Sequence, residues 1–220
     1  MPQTFGVIFD MDGVLVDSYR PHFESWRALA AENALELTEE QFARLFGRPG
    51  RTIITELWAG SVREDQVRSL DERKEYLYRE IIRDHIPVCE GLIGLLEDLR
   101  TGGAKLAVGS SGPPENVDLV LDGLGIRTYF SAMVTGMDVT RGKPDPEVFL
   151  LAAERIAVPP ARCAVIEDAP AGLQAAHRAG MKAIALTTSH PADRLSEADL
   201  VVAGLSDLNA RGVRDLIFPV

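Results

Sequence analysis

The stretch Phe5–Ser18, FGVIFDMDGVLVDS, decides how the rest of the chain is interpreted. It opens with an unbroken apolar run, as expected for a central parallel strand that is covered on both faces. The run ends in Asp10 and Asp12, and because successive side chains of a strand point to opposite faces, these two carboxylates share one side. Gly13 then gives the backbone the freedom to turn sharply away. The stretch therefore predicts a buried strand that delivers two acidic side chains to its carboxyl end.

Two neighbouring carboxylates indicate a metal site. They repel, and each makes ionisation of the other more costly unless a cation neutralises them. Mg²⁺ suits this position because it binds one or two carboxylates and keeps coordination sites for water and phosphate oxygens. An Asp-x-Asp-Gly sequence is also common in surface turns. Its position directly after a buried strand favours a site, because open α/β sheets bind ligands at the carboxyl ends of their strands.

The composition is that of an ordinary globular protein, with 220 residues of which 46% are hydrophobic and 25% charged. A net charge of −10 without a basic block disfavours a nucleic-acid or anionic-membrane partner, and a phosphate substrate would need local positive charge. Cys89 and Cys163 fit neither a metal site nor a disulfide framework, so we expect buried free thiols. Without a signal peptide or a membrane-length apolar run, we expect a soluble, cytoplasmic protein, with a monomer as the default.

The segment from Ser18 to about Pro87 has apolar residues at helical spacing and no strand pattern. Within it, Thr38 begins a capping box that opens a helix, and residues 47–51 form a basic loop between helices. We therefore expect residues 18–87 to form an inserted, all-helical cap domain.

From Pro87 onward, strand and helix patterns alternate, which is typical of a doubly wound parallel sheet. Further strands are predicted at 105–109, 133–135, 163–167, 182–186 and 200–202. Asp145 is predicted to cap a helix with Pro146 at its first position. The fold class is thus α/β, with a Rossmann-like core made of residues 1–17 and 88–220.

Three further strand ends carry polar groups. Ser110 and Ser111 precede a helix, where hydroxyls and free backbone N–H groups can bind phosphate oxygens. Lys143 follows the third strand and would supply positive charge, and Glu167 with Asp168 ends the fourth. Taken singly, each has an ordinary alternative: a serine-rich turn, a solvated lysine, or acid at a helix start. Because the carboxyl ends of these strands converge on one crevice, we expect a single site.

These motifs resemble those of the haloacid dehalogenase-like hydrolase superfamily, in the group with a helical cap inserted after the first motif. The matching segments lie in the family's order and span nearly the whole chain: DMDGVLVDS (10–18), VGSS (108–111), GKPDP (142–146) and VIEDAPAG (165–172). The resemblance implies a phosphatase that works through a covalent intermediate.

The resemblance also implies roles for the acidic residues. Asp10 would be the nucleophile and would carry an aspartyl-phosphate, while Asp12 would be the general acid and base. Asp10, the Asp12 backbone carbonyl and Asp168 would hold Mg²⁺. Glu167 would be either a variable ligand or a support for the ligands.

By the same resemblance, Ser110, with Ser111 beside it, and Lys143 would bind the transferring phosphoryl group. This agrees with the chemistry, because a carboxylate attacks an anionic phosphate only when cations cancel the repulsion between them. Phosphoryl transfer depends mainly on in-line positioning and charge neutralisation.

Several activities of the family remain to be distinguished. Asp12 argues against dehalogenases and phosphonate-cleaving relatives, which lack the second aspartate. The closer alternative is a β-phosphoglucomutase, because His22 and Lys74 occupy its hinge and substrate-contacting positions. However, the mutase has a Gly-x-x-Arg sequence in its cap loop, whereas the arginines in residues 47–51 of this chain have different offsets. In addition, residues 111–114 read Ser-Gly-Pro-Pro where the mutase has a Lys-Asn pair. We therefore expect a phosphatase for small phosphorylated metabolites, most simply sugar phosphates; a catalytically silent binding protein is a third possibility.

The cap is expected to select the substrate and to close over the core, with hinges near residues 15–20 and 84–89. Arg48 and Arg51 are candidates to bind polar or anionic substrate groups. Lys74 shares a helix face with apolar neighbours. It is expected either to contact substrate or to pass its stem over the core edge with its amine in water.

Overall fold

The computed structural model describes residues 4–219, which divide into two compact units. One unit consists of the described residues up to Asp17 together with those from Pro87 onward, and the other is Ser18–Ile86. The predicted core range also includes residues 1–3 and 220, which lie outside the described residues.

A parallel sheet forms the centre of the first unit. Its strands in the described residues are β1 (Phe5–Phe9), β2 (Ala104–Gly109), β3 (Phe130–Val134), β4 (Cys163–Glu167), β5 (Lys182–Leu186) and β6 (Leu200–Val202). Their order across the sheet is β3-β2-β1-β4-β5-β6, and every pair is parallel. This confirms the predicted α/β class.

The register of the sheet brings the motif-bearing strand ends together. Phe9 at the end of β1 pairs with Val108 of β2 on one side and with Ile166 of β4 on the other. The strand order reverses beside β1, because β2 and β3 lie on one side and β4 to β6 on the other. Such a reversal leaves a crevice outside the carboxyl ends of the strands, which is where open α/β sheets bind ligands.

Nine α-helices lie within the part of the chain that the structure describes. They are α1 (Tyr19–Glu32), α2 (Glu39–Leu45), α3 (Gly50–Leu57), α4 (Glu64–Ile82), α5 (Leu92–Thr101), α6 (Pro114–Gly123), α7 (Glu147–Arg155), α8 (Pro170–Arg178) and α9 (Ala210–Ile217). The first four belong to the Ser18–Ile86 unit and the others to the sheet unit. Helix α9 was not predicted, although its buried Ala210, Val213 and Ile217 have helical spacing.

Several element boundaries differ from the predictions; strand β2, for example, begins at Ala104 rather than at residue 105. Helix α7 begins at Glu147 rather than Pro146, because Pro146 is the N-cap and Asp145 Oδ1 accepts the Glu147 N–H at 3.1 Å. Strand β3 begins at Phe130 and ends at Val134, whereas the apolar run had indicated 133–135. Pairing of Phe130 with Leu106 on β2 extends the strand backwards, which is a tertiary effect that local sequence does not show.

The Ser18–Ile86 unit is all-helical, as predicted, and packs around a core rich in aromatic side chains, including Phe23, Trp26, Phe42 and Trp58. The predicted capping box is confirmed: Gln41 N donates to Thr38 Oγ1 at 3.2 Å, and Thr38 N donates to Gln41 Oε1 at 2.9 Å. One prediction here was wrong, because α3 begins at Gly50 and therefore includes Arg51, which had been assigned to a loop.

Two expectations from composition can be compared with the structure. Cys89 and Cys163 are both buried free thiols, as predicted, and burial raises the pKa of each to about 12. Within residues 4–219, no helix combines the length and the apolar character that crossing a bilayer requires.

Candidate active site

Asp10 lies at the centre of the strand-end crevice. Its backbone N–H donates to the Ile166 carbonyl at 3.0 Å, which fixes it directly after β1. Its buried carboxylate oxygen Oδ1 accepts a hydrogen bond from Lys143 Nζ at 2.6 Å. The same amine donates to Glu167 Oε1 at 2.7 Å. One lysine therefore joins the ends of β1 and β4 to the loop that precedes α7.

Glu167 is held from three directions. Its Oε1 accepts from Lys143, and its Oε2 accepts the backbone N–H groups of Asp168 at 2.9 Å and Ala169 at 3.0 Å. A side chain at Gly172 would place its Cβ 1.9 Å from Glu167 Cδ, so this position in α8 requires glycine. These contacts use both carboxylate oxygens of Glu167 to support Lys143 and the turn into α8.

Three buried carboxylates form a potential metal site. Oxygens of Asp10, Glu167 and Asp168 all lie within 4.8 Å of one another. Burial raises the pKa of Asp10 to about 7 against the opposing effect of Lys143, and Glu167 and Asp12 add to the rise. Burial and the neighbouring carboxylates also raise the pKa of Asp168 well above its usual range. Concentrated carboxylate oxygen ligands of this kind fit a hard divalent cation such as Mg²⁺.

The turn after β1 contains Asp12 and Gly13 and passes close to Asp168. Asp12 is half-buried, and its negative charge raises the pKa of both Asp10 and Asp168. Gly13 has φ +73°, and a Cβ there would lie 1.8 Å from Asp168 Oδ2. Only glycine permits this backbone conformation at so close an approach.

The two serines predicted to bind phosphate differ in their surroundings. Ser110 is buried at the end of β2; its N–H donates to the Val134 carbonyl at 2.9 Å, and its Oγ accepts the Gly112 N–H at 3.0 Å. Ser111 is exposed. Because β2 neighbours β1 in the sheet, Ser110 lies at the same strand-end edge as Asp10.

Two residues after the end of β5, which were not predicted, also contact the site. Thr188 Oγ1 donates to the Gly13 carbonyl at 2.6 Å. Ser189 Oγ and Asp168 Oδ2 both lie against Gly13, and the Ser189 hydroxyl lowers the pKa of the Asp168 carboxyl, in opposition to burial. Thr188 and Ser189 belong to a Thr-Thr-Ser run that resembles an ordinary loop. The signal that could have identified them is their position directly after a buried strand, at the same edge as the other motifs.

The candidate arginines of the Ser18–Ile86 unit form ion pairs within that unit. Arg48 Nη1 lies 2.7 Å from Glu56 Oε1, and Arg51 Nε lies 3.5 Å from Asp71 Oδ2. Both arginine side chains are about half exposed or more. Each cation therefore already has a carboxylate partner on its own unit.

Lys74 is buried, which contradicts the alternative in which its amine reaches water. Its Nζ lies 2.8 Å from His22 Nδ1 and 2.9 Å from Glu75 Oε1. Because an ammonium group only donates, Nδ1 is the acceptor in this contact. The imidazole also stacks on Tyr78 with 4.0 Å between ring centroids, so His22 is a core residue of α1.

The chain is an α/β protein with a helical insertion after its first motif. Its acidic cluster lies where the strand order reverses, which defines a ligand site at the topological switch point of the sheet. A model of the haloacid dehalogenase-like hydrolase family matches residues 6–180, and the chain belongs to this family. The resemblance drawn from the motifs is thereby confirmed.

Relatives of established name include phosphatases. The chain is 32% identical to the validoxylamine A 7'-phosphate phosphatase of Streptomyces hygroscopicus subsp. limoneus, over 91% of this chain and 94% of the relative. It is 35% identical to a phosphorylated carbohydrates phosphatase of Thermotoga maritima, over 81% and 82% of the two chains. These relatives and the family match support phosphatase activity.

One solved structure is similar over almost the whole chain. The β-phosphoglucomutase of Clostridium difficile superposes with a TM-score of 0.86 at 27% identity, covering 98% of this chain and 97% of the other. The similarity thus extends over both units of the chain and includes an enzyme of the mutase type.

Proposed function

We propose that the protein is a Mg²⁺-dependent phosphatase that hydrolyses small phosphorylated metabolites, most simply sugar phosphates, through an aspartyl-phosphate on Asp10. The observation that carries this proposal is the position of Asp10 at the topological switch point. There it lies within hydrogen-bonding distance of Lys143, whose side chain is only 9% exposed, and beside two further buried carboxylates. A carboxylate placed between a cation and a divalent-metal site can approach an anionic phosphate, which a solvated aspartate does poorly.

Asp10, Asp168 and the backbone carbonyl of Asp12 would hold the ion. The direct contacts of Glu167 are with Lys143 and the backbone, which favours a supporting role for it. Bound Mg²⁺ supplies positive charge that offsets the phosphate and the carboxylates around it.

The chain's own residues then divide the chemistry. A bond from an Asp10 oxygen to phosphorus forms as the bond from phosphorus to the leaving oxygen breaks, and Asp12 gives that oxygen its proton. Asp12 next takes a proton from the water that attacks the phosphorus, so phosphate leaves and the Asp10 carboxylate is regenerated. Lys143 and Ser110, with Ser111 beside it, bind the phosphoryl oxygens during both steps.

Selection among substrates is assigned to the helical cap, through Arg48, Arg51 and Lys74. The name of the Thermotoga relative gives phosphorylated carbohydrates as its substrates, which supports a sugar phosphate as the substrate class here. Arg48 and Arg51 already pair with carboxylates, so their surroundings offer hydrogen-bond acceptors as well as donors. Such a surface suits hydroxyl groups, which both donate and accept.

A mutase is the second candidate, supported by the similarity to β-phosphoglucomutase over both units. The two functions differ in the fate of the phosphoryl group: a phosphatase passes it to water, and a mutase returns it to another hydroxyl of the sugar. Incubation with a hexose 1-phosphate distinguishes them, because a mutase yields an isomeric hexose phosphate without free phosphate.

The test of the proposed function is phosphate release from p-nitrophenyl phosphate with Mg²⁺ and with excess chelator. We expect release with Mg²⁺, none with chelator, and none from Asp168→Ala. Asp193→Ala, which alters an exposed aspartate outside the site, serves as the control and should retain activity. Full activity in excess chelator would refute the metal dependence. A panel of phosphorylated sugars and small phosphorylated acids would then identify the preferred substrate.

A further inference from the structure

We propose that Ser189 is a positioning residue for the metal site, because its hydroxyl holds the Asp168 carboxylate in the orientation that binds a divalent cation. Thr188 assists by fixing the turn after β1 against the same carboxylate. This inference rests on the proposed function, which assigns Mg²⁺ to Asp168, and it extends that site to a fifth strand end.

The sheet brings the loop after β5 to the metal site. Strand β5 pairs with β4 so that Ala185 lies opposite Glu167, the residue before Asp168. The base of the loop is fixed on its other side, since Thr187 N donates to the Val202 carbonyl at 3.1 Å. The loop therefore leaves the sheet beside Asp168 and starts from a fixed position.

Three chain segments converge on one point in the turn. A Cβ on Gly13 would lie 1.8 Å from Asp168 Oδ2 and 2.7 Å from Ser189 Oγ. The Thr188 hydroxyl donates to the Gly13 carbonyl at 2.6 Å. Gly13 is joined by a peptide bond to Asp12, whose carbonyl is a proposed ligand, so Thr188 restrains one ligand while Ser189 restrains another.

A neutral donor suits this position better than a cation. The Asp168 carboxylate lies close to those of Asp10 and Glu167, and the negative charges of these two and of Asp12 repel it. A lysine or arginine would offset this repulsion but would also cancel the charge that attracts the metal ion. A serine hydroxyl fixes the carboxylate and leaves its charge available. Hydrogen bonds of this kind to metal ligands typically change metal affinity or activity by about 10–100-fold when they are removed.

The experiment measures Mg²⁺ binding by isothermal titration calorimetry, so its result does not depend on turnover. The variants are Ser189→Ala, Ser189→Thr and Ser196→Ala, the last altering an exposed serine a few residues further along the chain. We expect Ser189→Ala to raise the Kd by about tenfold or more. Ser189→Thr keeps the hydroxyl and should stay near the wild-type value, as should Ser196→Ala. If Ser189→Ala does not fold, as judged by circular dichroism, Ser189→Cys provides the comparison, because a thiol is a weaker donor of similar size.

The outcomes separate this inference from the function on which it rests. Wild-type protein that binds no Mg²⁺ would refute both the metal assignment and the role of Ser189. Wild-type binding that Asp168→Ala abolishes, together with an unchanged Kd in folded Ser189→Ala, would refute only the role of Ser189. The inference is supported if Ser189→Ala raises the Kd for Mg²⁺ and Ser189→Thr, which keeps the hydroxyl, stays near the wild-type value. A purely structural contact would alter the stability of the protein, and the Kd would not depend on the presence of the hydroxyl.

Discussion

Lys143 Nζ lies 2.6 Å from Asp10 Oδ1, although the two residues are 133 positions apart in the sequence. Burial lowers the pKa of this lysine, but the carboxylates of Asp10 and Glu167 outweigh that effect and raise the pKa above its usual value. The amine is therefore charged at neutral pH and reduces the repulsion that an anionic substrate would meet.

Replacing this lysine should impair chemistry. We expect Lys143→Met to lower kcat/KM for p-nitrophenyl phosphate by roughly 10²–10³-fold, the usual effect of removing one preorganised electrostatic group. Lys182→Met is the matched control, because Lys182 forms an ion pair with Asp199 on the surface. Circular dichroism checks that both variants are folded. A Lys143→Met enzyme with nearly wild-type kcat/KM would show that the lysine has no role in the reaction.

The packing of Gly172 against Glu167 predicts a steric effect. Gly172→Ala places a methyl group where Glu167 Cδ already lies, so we expect it to lower the unfolding free energy by about 1–3 kcal/mol. It should also reduce activity by displacing the partner of Lys143. Gly94→Ala is the control, since that helical glycine has open space around it and alanine favours helices by up to about 1 kcal/mol. Urea unfolding measures the unfolding free energy of both variants. An equal change in Gly172→Ala and Gly94→Ala would contradict the steric argument.

Most of the site could be predicted because its residues follow buried strands directly. The apolar run before Asp10 and the one before Glu167 identified central strands, and parallel pairing then placed their ends at one edge. The order of strands and the exact contacts could not be predicted this way. The contact between Glu167 and Lys143, for example, depends on long-range packing of Glu167 against α8.

The missed features lack a distinctive local pattern. Ser189 lies in a loop whose composition is typical of any turn, and only the pairing of β5 with β4 brings it to Asp168. Lys74 has a helical position compatible with either a buried or a solvated amine. The His22 ring that accepts its hydrogen bond comes from another helix, 52 residues away. Sequence spacing within one helix does not reveal such a partner.

The pH dependence of stability should include a contribution from Asp138. Its hydrogen bond from Arg155, at 2.6 Å, and those from Thr135 lower its pKa to about 2. A lowered folded-state pKa stabilises the protein above the unfolded value of roughly 3.9, and this stabilisation is lost as the pH falls towards 2. Asp138→Asn should therefore be less stable than wild type at pH 7, with a difference that shrinks below about pH 4. Urea unfolding between pH 3 and pH 7 tests this. A difference that stays constant over that range would contradict the assignment.

Cap substitutions should change substrate choice rather than metal binding. We expect Arg48→Ala, Arg51→Ala and Lys74→Ala to alter the order of preference across a panel of phosphorylated substrates. The Kd for Mg²⁺ should stay near that of the wild type. Arg68→Ala, which breaks an exposed pair with Glu72 on α4, is the matched control and should leave the order unchanged. If none of the three variants changes the order, recognition of substrate by these cap residues must be abandoned.

The central claim is that Asp10 carries the phosphoryl group while Asp12 moves protons, and trapping the intermediate tests it most directly. Asp12→Ala protein is incubated with p-nitrophenyl phosphate, whose leaving group needs little protonation, and is then quenched and mapped by mass spectrometry. We expect phosphorylation of Asp10 that persists because the base that activates water is absent, and none in Asp10→Asn. A phosphoryl group found on Ser110, or on Asp12 in the wild-type enzyme, would contradict the account.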